Sequence, residues 1–233
     1  MIVGSGQIAL AFKNYSPSNS IVFASGVSNS SCKDIREFER ERKLLEHNLR
    51  TIEDRNFIYF SSCALSANDY HLNSYYRHKL AMEHLIKSGT DNYYIFRIPQ
   101  LFGCMKKHST LINYLFNAIN ESRSFNVYSG ANRYVVELND VVRLVNSYVN
   151  NVAPGITVDL ANTYRYSILE LVEEFEQILD VTAHYDLIPG VDSYELNLDA
   201  LQQHVENYKL NIEFGKSYFR KKLTSKIFSR EVN

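Results

Sequence analysis

The sequence is short of net charge: 25 lysines and arginines stand against 26 aspartates and glutamates, a formal −1. That balance recommends neither nucleic acid nor an anionic membrane surface as a partner. No apolar run approaches the ~20 residues that span a bilayer. Three cysteines, Cys32, Cys63 and Cys104, show no metal-ligand spacing and no even framework. Reduced thiols in the cytoplasm, with no metal site, are the expectation. Internal repeats, low-complexity tracts and flexible linkers are also missing. The opening "MIVGSGQIALAF" has no basic leader and runs straight into strand-like, glycine-containing sequence, so no signal peptide is expected.

What remains is a chain of 233 residues, 45% hydrophobic and 22% charged. That composition suits one large domain, or a domain with a modest cap, around a sizeable core. Met1–Val3, "IVFASG" (Ile21–Gly26), "FIYFSS" (Phe57–Ser62) and "NYYIFRIP", ended by Pro99, are apolar runs of strand type. Between them lie a short helical stripe (Ile8, Ala9, Phe12), a turn at Pro17, and a charged helix from Asp34 to about Asp54. That helix carries Ile35, Phe38, Leu45, Leu49 and Ile52 at helical spacing; a further helix covers Ser74–Lys87 and is stopped by Gly89. Strands that are apolar on both faces and alternate with helices predict a parallel sheet covered by helices. The second half is less regular. Leu111–Ile119 reads as helix, "RYVVELNDVVRLVNSYV" as a strand entering a helix, "ITVDLAN" as a strand, and "SILELVEEFEQIL" as an amphipathic helix capped by Ser167.

Three features carry chemistry. "GSGQIA" (Gly4–Ala9) is a G-x-G-x-x-A pattern between a strand and a helix, where small residues let backbone approach a pyrophosphate; a plain glycine turn is the competing reading. Ser61 and Ser62 end a buried strand, on the side where open α/β sheets bind ligands; satisfying strand-end backbone groups is the competing role. Tyr75 and Lys79 stand four residues apart, on one face of a helix. An ammonium beside a phenol favours the phenolate. Acid/base work near pH 7 asks for a shift of about 3 units from ~10, or roughly 4 kcal/mol. Tyr76 points about 100° away.

In this order the pieces resemble the extended short-chain dehydrogenase/reductase family, the NAD-dependent epimerases, dehydratases and 4-keto reductases of nucleotide-activated sugars. "FIYFSS", Tyr75-x-x-x-Lys79 followed by Glu83, "IFRIPQLFG", "RYVVELNDVV", "YSILELVEEFEQIL" and "YELNLDALQQ" carry the resemblance over nearly the whole chain. It implies an α/β fold: a shortened, Rossmann-like doubly wound parallel sheet with a small α+β C-terminal cap. Residues 1–104 with 132–162 would form the cofactor domain, and 105–131 with 163–233 the cap.

The resemblance further implies an NAD(P)-dependent oxidoreductase or epimerase acting on a 4-keto sugar nucleotide in surface-polysaccharide synthesis. Tyr75 would be the acid/base, Lys79 would lower its pKa and hold the nicotinamide ribose, and Ser62 would hydrogen-bond the reacting oxygen. The cofactor, NAD or NADP, would be lined by Gly4, Ser5, Gly6, Gln7, Ile8, Ser25, Gly26, Ser61, Tyr75, Lys79 and Pro99. The substrate would meet Ser62, Gln100 and Arg133, where Arg133 would reach a diphosphate; a surface salt bridge is the competing role. Asp140 would cap a helix. A homodimer would pair the two helices at Asp34–Asp54 and Ser74–Lys87, although "REFERERK" makes that interface polar or leaves the chain monomeric.

The chain also departs from the family. It passes from Phe12 through a turn directly to "IVFASG", which matches the fourth strand of the family, so two strand–helix units are missing. The acidic residue expected about 20 positions after the glycines is absent; Asp34 is the first. Lys33 or Arg36 could meet a 2′-phosphate instead. The Ser62–Tyr75 interval is short, and Glu39 or a neighbour stands where the family has an asparagine. These departures support the alternative of a non-catalytic sugar-nucleotide-binding or scaffold relative that has lost its dinucleotide site.

Overall fold

The computed structural model describes residues 1–67, 72–103 and 110–228; Cys104 lies outside them. In chain order the elements are β1 (Ile2–Val3), α1 (Gln7–Ala11), β2 (Ser20–Phe23), α2 (Ile35–Arg50), β3 (Asn56–Ser62), α3 (Ser74–Gly89), β4 (Tyr93–Ile98) and β5 (Gln100–Phe102). They continue with α4 (Leu111–Asn120), β6 (Phe125–Arg133), β7 (Val135–Glu137), α5 (Leu138–Asn151), β8 (Ile156–Asp159) and β9 (Tyr166–Ser167). The last are α6 (Ile168–Leu179), β10 (Tyr185–Asp192), α7 (Asp199–Asn207) and α8 (Tyr218–Phe228). Two compact units result. The first is Met1–Ile98, Asn139–Leu160 and Leu196–Leu210; the second is Pro99–Leu138, Ala161–Glu195 and Asn211–Asn233.

The first unit is a five-stranded sheet in the order β1-β2-β3-β4-β8, parallel at every pairing. This is the parallel α/β sheet expected from the apolar strands. Residue alternation divides its two faces. Ile21, Phe23, Phe57, Tyr59 and Ile95 pack with Leu45 of α2 and with Met82 and Ile86 of α3. On the other face Phe12, just after α1, meets Phe60 at 5.7 Å, and Tyr148 of α5 meets Phe96 at 5.9 Å. Helices therefore cover both faces.

The steps β1→β2 and β2→β3 run the same way across the sheet, yet α1 and α2 lie on opposite faces. The two crossovers therefore have opposite hands, and one departs from the right-handed rule. A doubly wound sheet without its outer strand–helix units leaves this arrangement: α1 keeps its face, and β1 becomes an edge among the described residues. The short β1, half-buried, is what the missing units predict.

Asp34 caps α2, accepting from the Arg36 N–H, and Asn73 caps α3, accepting from the Tyr76 N–H. Ile35, expected on the buried stripe of α2, is 64% exposed. Residues 196–210, with α7, belong to the sheet unit rather than to the cap that the sequence suggests. There His204 of α7 stacks on Tyr148 at 3.6 Å and bonds Ser147 at 2.9 Å. Asp140 is not the cap of α5 but lies in its first turn, buried, where a negative charge suits the helix dipole.

The second unit pairs β5 with β7 in parallel and builds a three-stranded sheet, β10-β6-β9. Its helix α6 starts with a full capping box between Ser167 and Glu170. Phe102, Tyr166, Phe175, Tyr218 and Phe219 are all buried there.

Candidate active site

The parallel register brings several of the sequence candidates to one end of the sheet. Val3 pairs with Phe23 and Phe23 with Tyr59, while Ser61 pairs with Arg97 and Ser62 with Ile98. The Gly4–Gly6 turn, Ser25, Gly26, Ser61 and Ser62 thus follow or form the carboxyl ends of adjacent strands.

The two glycines of the turn do different work. Gly4 has φ +125°, and a Cβ there would fall 2.4 Å from the Ala24 carbonyl oxygen. Only glycine fits, because both the backbone conformation and the adjacent strand end exclude a side chain. Gly6 begins α1 with extended backbone and no side-chain cap. A Cβ on it would meet nothing within 4 Å, so open space lies where a pyrophosphate would approach. The helix has only five residues, so its dipole adds little and the value of the turn is steric. Ser5 is exposed, and Gln7 and Ile8 are half-buried.

Ser62 directly precedes the 3₁₀ turn Cys63–Ser66, and its side chain does not cap that turn. Ser61 is buried at 3% exposure, and its Oγ has no hydrogen-bond partner among the described residues. The Ser25 hydroxyl accepts from Arg40 at 3.2 Å. Cys63 is buried and donates to the Arg97 carbonyl at 3.1 Å; burial pushes its thiol well up.

Tyr75 and Lys79 are both buried on α3, and the Lys79 ammonium stands 5.9 Å from the centre of the Tyr75 ring. The lysine donates elsewhere, to Glu41 Oε1 at 3.1 Å and to the Tyr59 hydroxyl at 3.0 Å. Glu41 is fully buried. Its Oε1 also accepts from Tyr59 at 2.6 Å, and its Oε2 accepts from the Val27 N–H at 2.6 Å and meets His78 Nε2 at 3.0 Å. All four lone-pair positions of the carboxylate are used. Burial alone would raise the Glu41 pKa. The Lys79 charge and the bonds from His78, Tyr59 and Val27 overcome this and hold it at about 2. The cluster sits directly under Gly26, where a Cβ would fall 2.5 Å from Lys79 Nζ and 3.0 Å from Glu41 Oε1.

The Tyr75 phenol is pushed up rather than down: burial raises it most, then Tyr76 and Glu41. This corrects the expectation that Lys79 lowers it. The cation is committed to a carboxylate, and desolvation favours the neutral phenol. Tyr76 meets Tyr75 edge-on at 5.1 Å.

Glu41 escaped the sequence reading, but its signal was present. It lies three residues after Phe38 and four before Leu45, a gap in the apolar stripe that α2 buries. Glu39, named with its neighbours for the position where the family has an asparagine, is exposed. Asp34 is occupied as the cap of α2 and paired with Arg36 at 2.9 Å.

In the second unit Arg133 is paired with Asp192 and donates to the Asn132 and Asp192 carbonyls at 2.8 and 2.7 Å. These contacts hold its guanidinium within the unit. Gln100 opens β5 directly after Pro99, and both are half-buried. Among the described residues no cluster has the composition of a metal site, and no helix is long and apolar enough to cross a membrane.

No protein-family model and no curated protein sequence matches the chain. Solved structures do. The UDP-N-acetylglucosamine 4-epimerase of Methanobrevibacter ruminantium, in complex with UDP-N-acetylmuramic acid, superposes with TM-score 0.71 at 14% identity, over 98% of this chain and 80% of that one. The UDP-glucuronic acid 4-epimerase of Bacillus cereus, with UDP-glucuronic acid and NAD, gives 0.70 at 13% identity, over 98% and 80%. RMD from Pseudomonas aeruginosa, complexed with NADPH, gives 0.69 at 16% identity, over 91% and 82%. The fold of this chain is the Rossmann-type fold of nucleotide-sugar epimerases and their relatives, as its motifs led one to expect.

Proposed function

We infer that the chain is a compact NAD(P)-dependent oxidoreductase or epimerase acting on a nucleotide-activated sugar. One observation carries the reading. A serine that does not cap the turn after it (Ser62), the Tyr75–Lys79 face of α3 and an open glycine turn (Gly4–Gly6) are all present in one unit with this fold. Tyr75 exchanges the proton at the sugar oxygen, Ser62 hydrogen-bonds that oxygen, and Lys79 contacts the nicotinamide ribose. The dinucleotide supplies hydride chemistry, while the chain binds and orients. Gly4, Ser5, Gly6, Gln7 and Ile8 cradle the pyrophosphate, with Ser25, Gly26, Ser61 and Pro99 along the cofactor; Gln100 and Arg133 serve the sugar nucleotide. A 4-keto sugar, a role in surface-polysaccharide synthesis and a cytoplasmic setting complete the proposal. Structural relatives that hold UDP-sugars, NAD or NADPH support it.

The commitment of Lys79 to Glu41 favours a second reading: a sugar-nucleotide-binding protein without dinucleotide chemistry. Calorimetric titration with NAD(H) and NADP(H), each with and without a UDP-sugar, separates the two. Micromolar dinucleotide binding and turnover lost in Tyr75→Phe support the enzyme. UDP-sugar binding with no dinucleotide binding under either condition replaces it with the second reading.

A further inference from the structure

Lys79 lies inside the sheet unit at 2% exposure, among groups from three elements. From α2 comes the Glu41 carboxylate, from β3 the Tyr59 hydroxyl, and from α3 itself Tyr75, Tyr76, His78 and Glu83. Glu83 is taken up by Arg97 of β4, at 2.9 and 2.7 Å. Among the described residues the anion bonded to the ammonium is Glu41. Its four donors pin the carboxylate in place, and His78 is in turn stacked on Phe38 of α2 at 4.6 Å.

We propose that Glu41 is a positioning residue for the α3 pair: it draws the Lys79 ammonium beneath Gly26 and so leaves the Tyr75 phenol without the cation that would favour its ionisation. The glutamate decides where the lysine points, and through the lysine it decides how acidic the tyrosine is. The acid/base role of Tyr75 rests on the preceding reading; the coupling of Glu41, Lys79 and Tyr75 does not. The physical basis is that one ammonium cannot neutralise two anions at full strength in a desolvated site. Glu41, ionised down to about pH 2, holds it first. A phenolate at Tyr75 would also lie near the Glu41 charge, a second effect in the same direction.

The test follows the ionisation of Tyr75 in the full chain, with no cofactor or sugar present. Tyrosinate absorbance is titrated in matched pairs with and without Tyr75→Phe, so that the difference isolates one phenol among 17. Circular dichroism marks the pH range over which each variant stays folded. With Glu41 present, no Tyr75 signal is expected before alkaline unfolding. With Glu41→Gln, the midpoint is expected to fall into the folded range, by about 1–3 pH units. Glu41→Asp, which keeps the charge one methylene further back, should move it the same way by less, and this arm serves if the glutamine variant does not fold. In a Lys79→Met background, Glu41→Gln should move the midpoint by less than it does with Lys79 present. An unmoved midpoint in both Glu41 variants overturns the proposal, as does an equal shift with and without Lys79. Neither result bears on dinucleotide binding, so this inference and the enzyme reading can fail separately.

Discussion

The Glu41 carboxylate and the Lys79 ammonium lie 3.1 Å apart with both side chains out of solvent. Two charges have been desolvated together, and each is tolerable only because the other is there. Removing either one alone, by Glu41→Gln or Lys79→Met, is expected to destabilise the chain by about 3–5 kcal/mol, because a buried charge is left without its partner. The double variant should cost less than the sum of the singles. Urea unfolding of the four chains gives the coupling; strictly additive losses would show that the two side chains do not act as a pair.

Acid should weaken the fold through the same residue. The Glu41 carboxyl is held at about 2 against an ordinary 4.5, so the folded chain keeps it ionised where the unfolded chain protonates it. The resulting stabilisation is fully present above pH 4.5 and is lost as the pH falls through about 2. Its size is on the order of 3 kcal/mol. Urea midpoints between pH 6 and pH 2 should fall more steeply for the natural chain than for Glu41→Gln; parallel slopes would remove Glu41 from the acid response.

The legible parts of this chain are those governed by short-range pattern. β2, β3 and β4 announce themselves as apolar runs because parallel strands are buried on both faces. The α6 cap is legible because Ser167 and Glu170 have the capping-box spacing. The missing strand–helix units were legible too, and β1 at the sheet edge is their consequence. What pattern could not convey was long-range pairing. Glu41 looks like one more charge in "REFERERK" until α2 is laid on the sheet and Tyr59, eighteen residues away, donates to it. Arg133 finds Asp192 59 residues on. Residues 196–210 join the sheet unit through contacts such as His204 with Tyr148, which no local spacing foretells. Ile35 shows the reverse error: an apolar residue at the right period, in the first turn of a helix, that never reaches the core.

Gly26 should be intolerant of even a methyl group. Its Cβ would sit 2.5 Å from Lys79 Nζ and 3.0 Å from Glu41 Oε1. The lysine end can swing, but the carboxylate is fixed by four partners. Gly26→Ala is expected to cost about 1–3 kcal/mol through overpacking, read as a lowered Tm. In a Lys79→Met background, where the clashing ammonium is gone, the loss should shrink; an unchanged loss would place the clash elsewhere.

The glycine turn separates folding from binding. Gly4→Ala forces a side chain into a positive-φ conformation and against the Ala24 carbonyl, so it should cost about 2 kcal/mol or more whatever the chain binds. Gly6→Ala meets open space and loses at most about 1 kcal/mol at the head of a five-residue helix. If the turn cradles a pyrophosphate, that same methyl group occupies the space the phosphates need. NAD(H) or NADP(H) should then bind at least about tenfold more weakly to a chain of near-natural stability. Calorimetry on the natural chain and Gly6→Ala, beside their thermal unfolding, reads both effects. A Gly6→Ala chain that binds the dinucleotide as tightly as the natural one would show that the pyrophosphate does not sit on this turn.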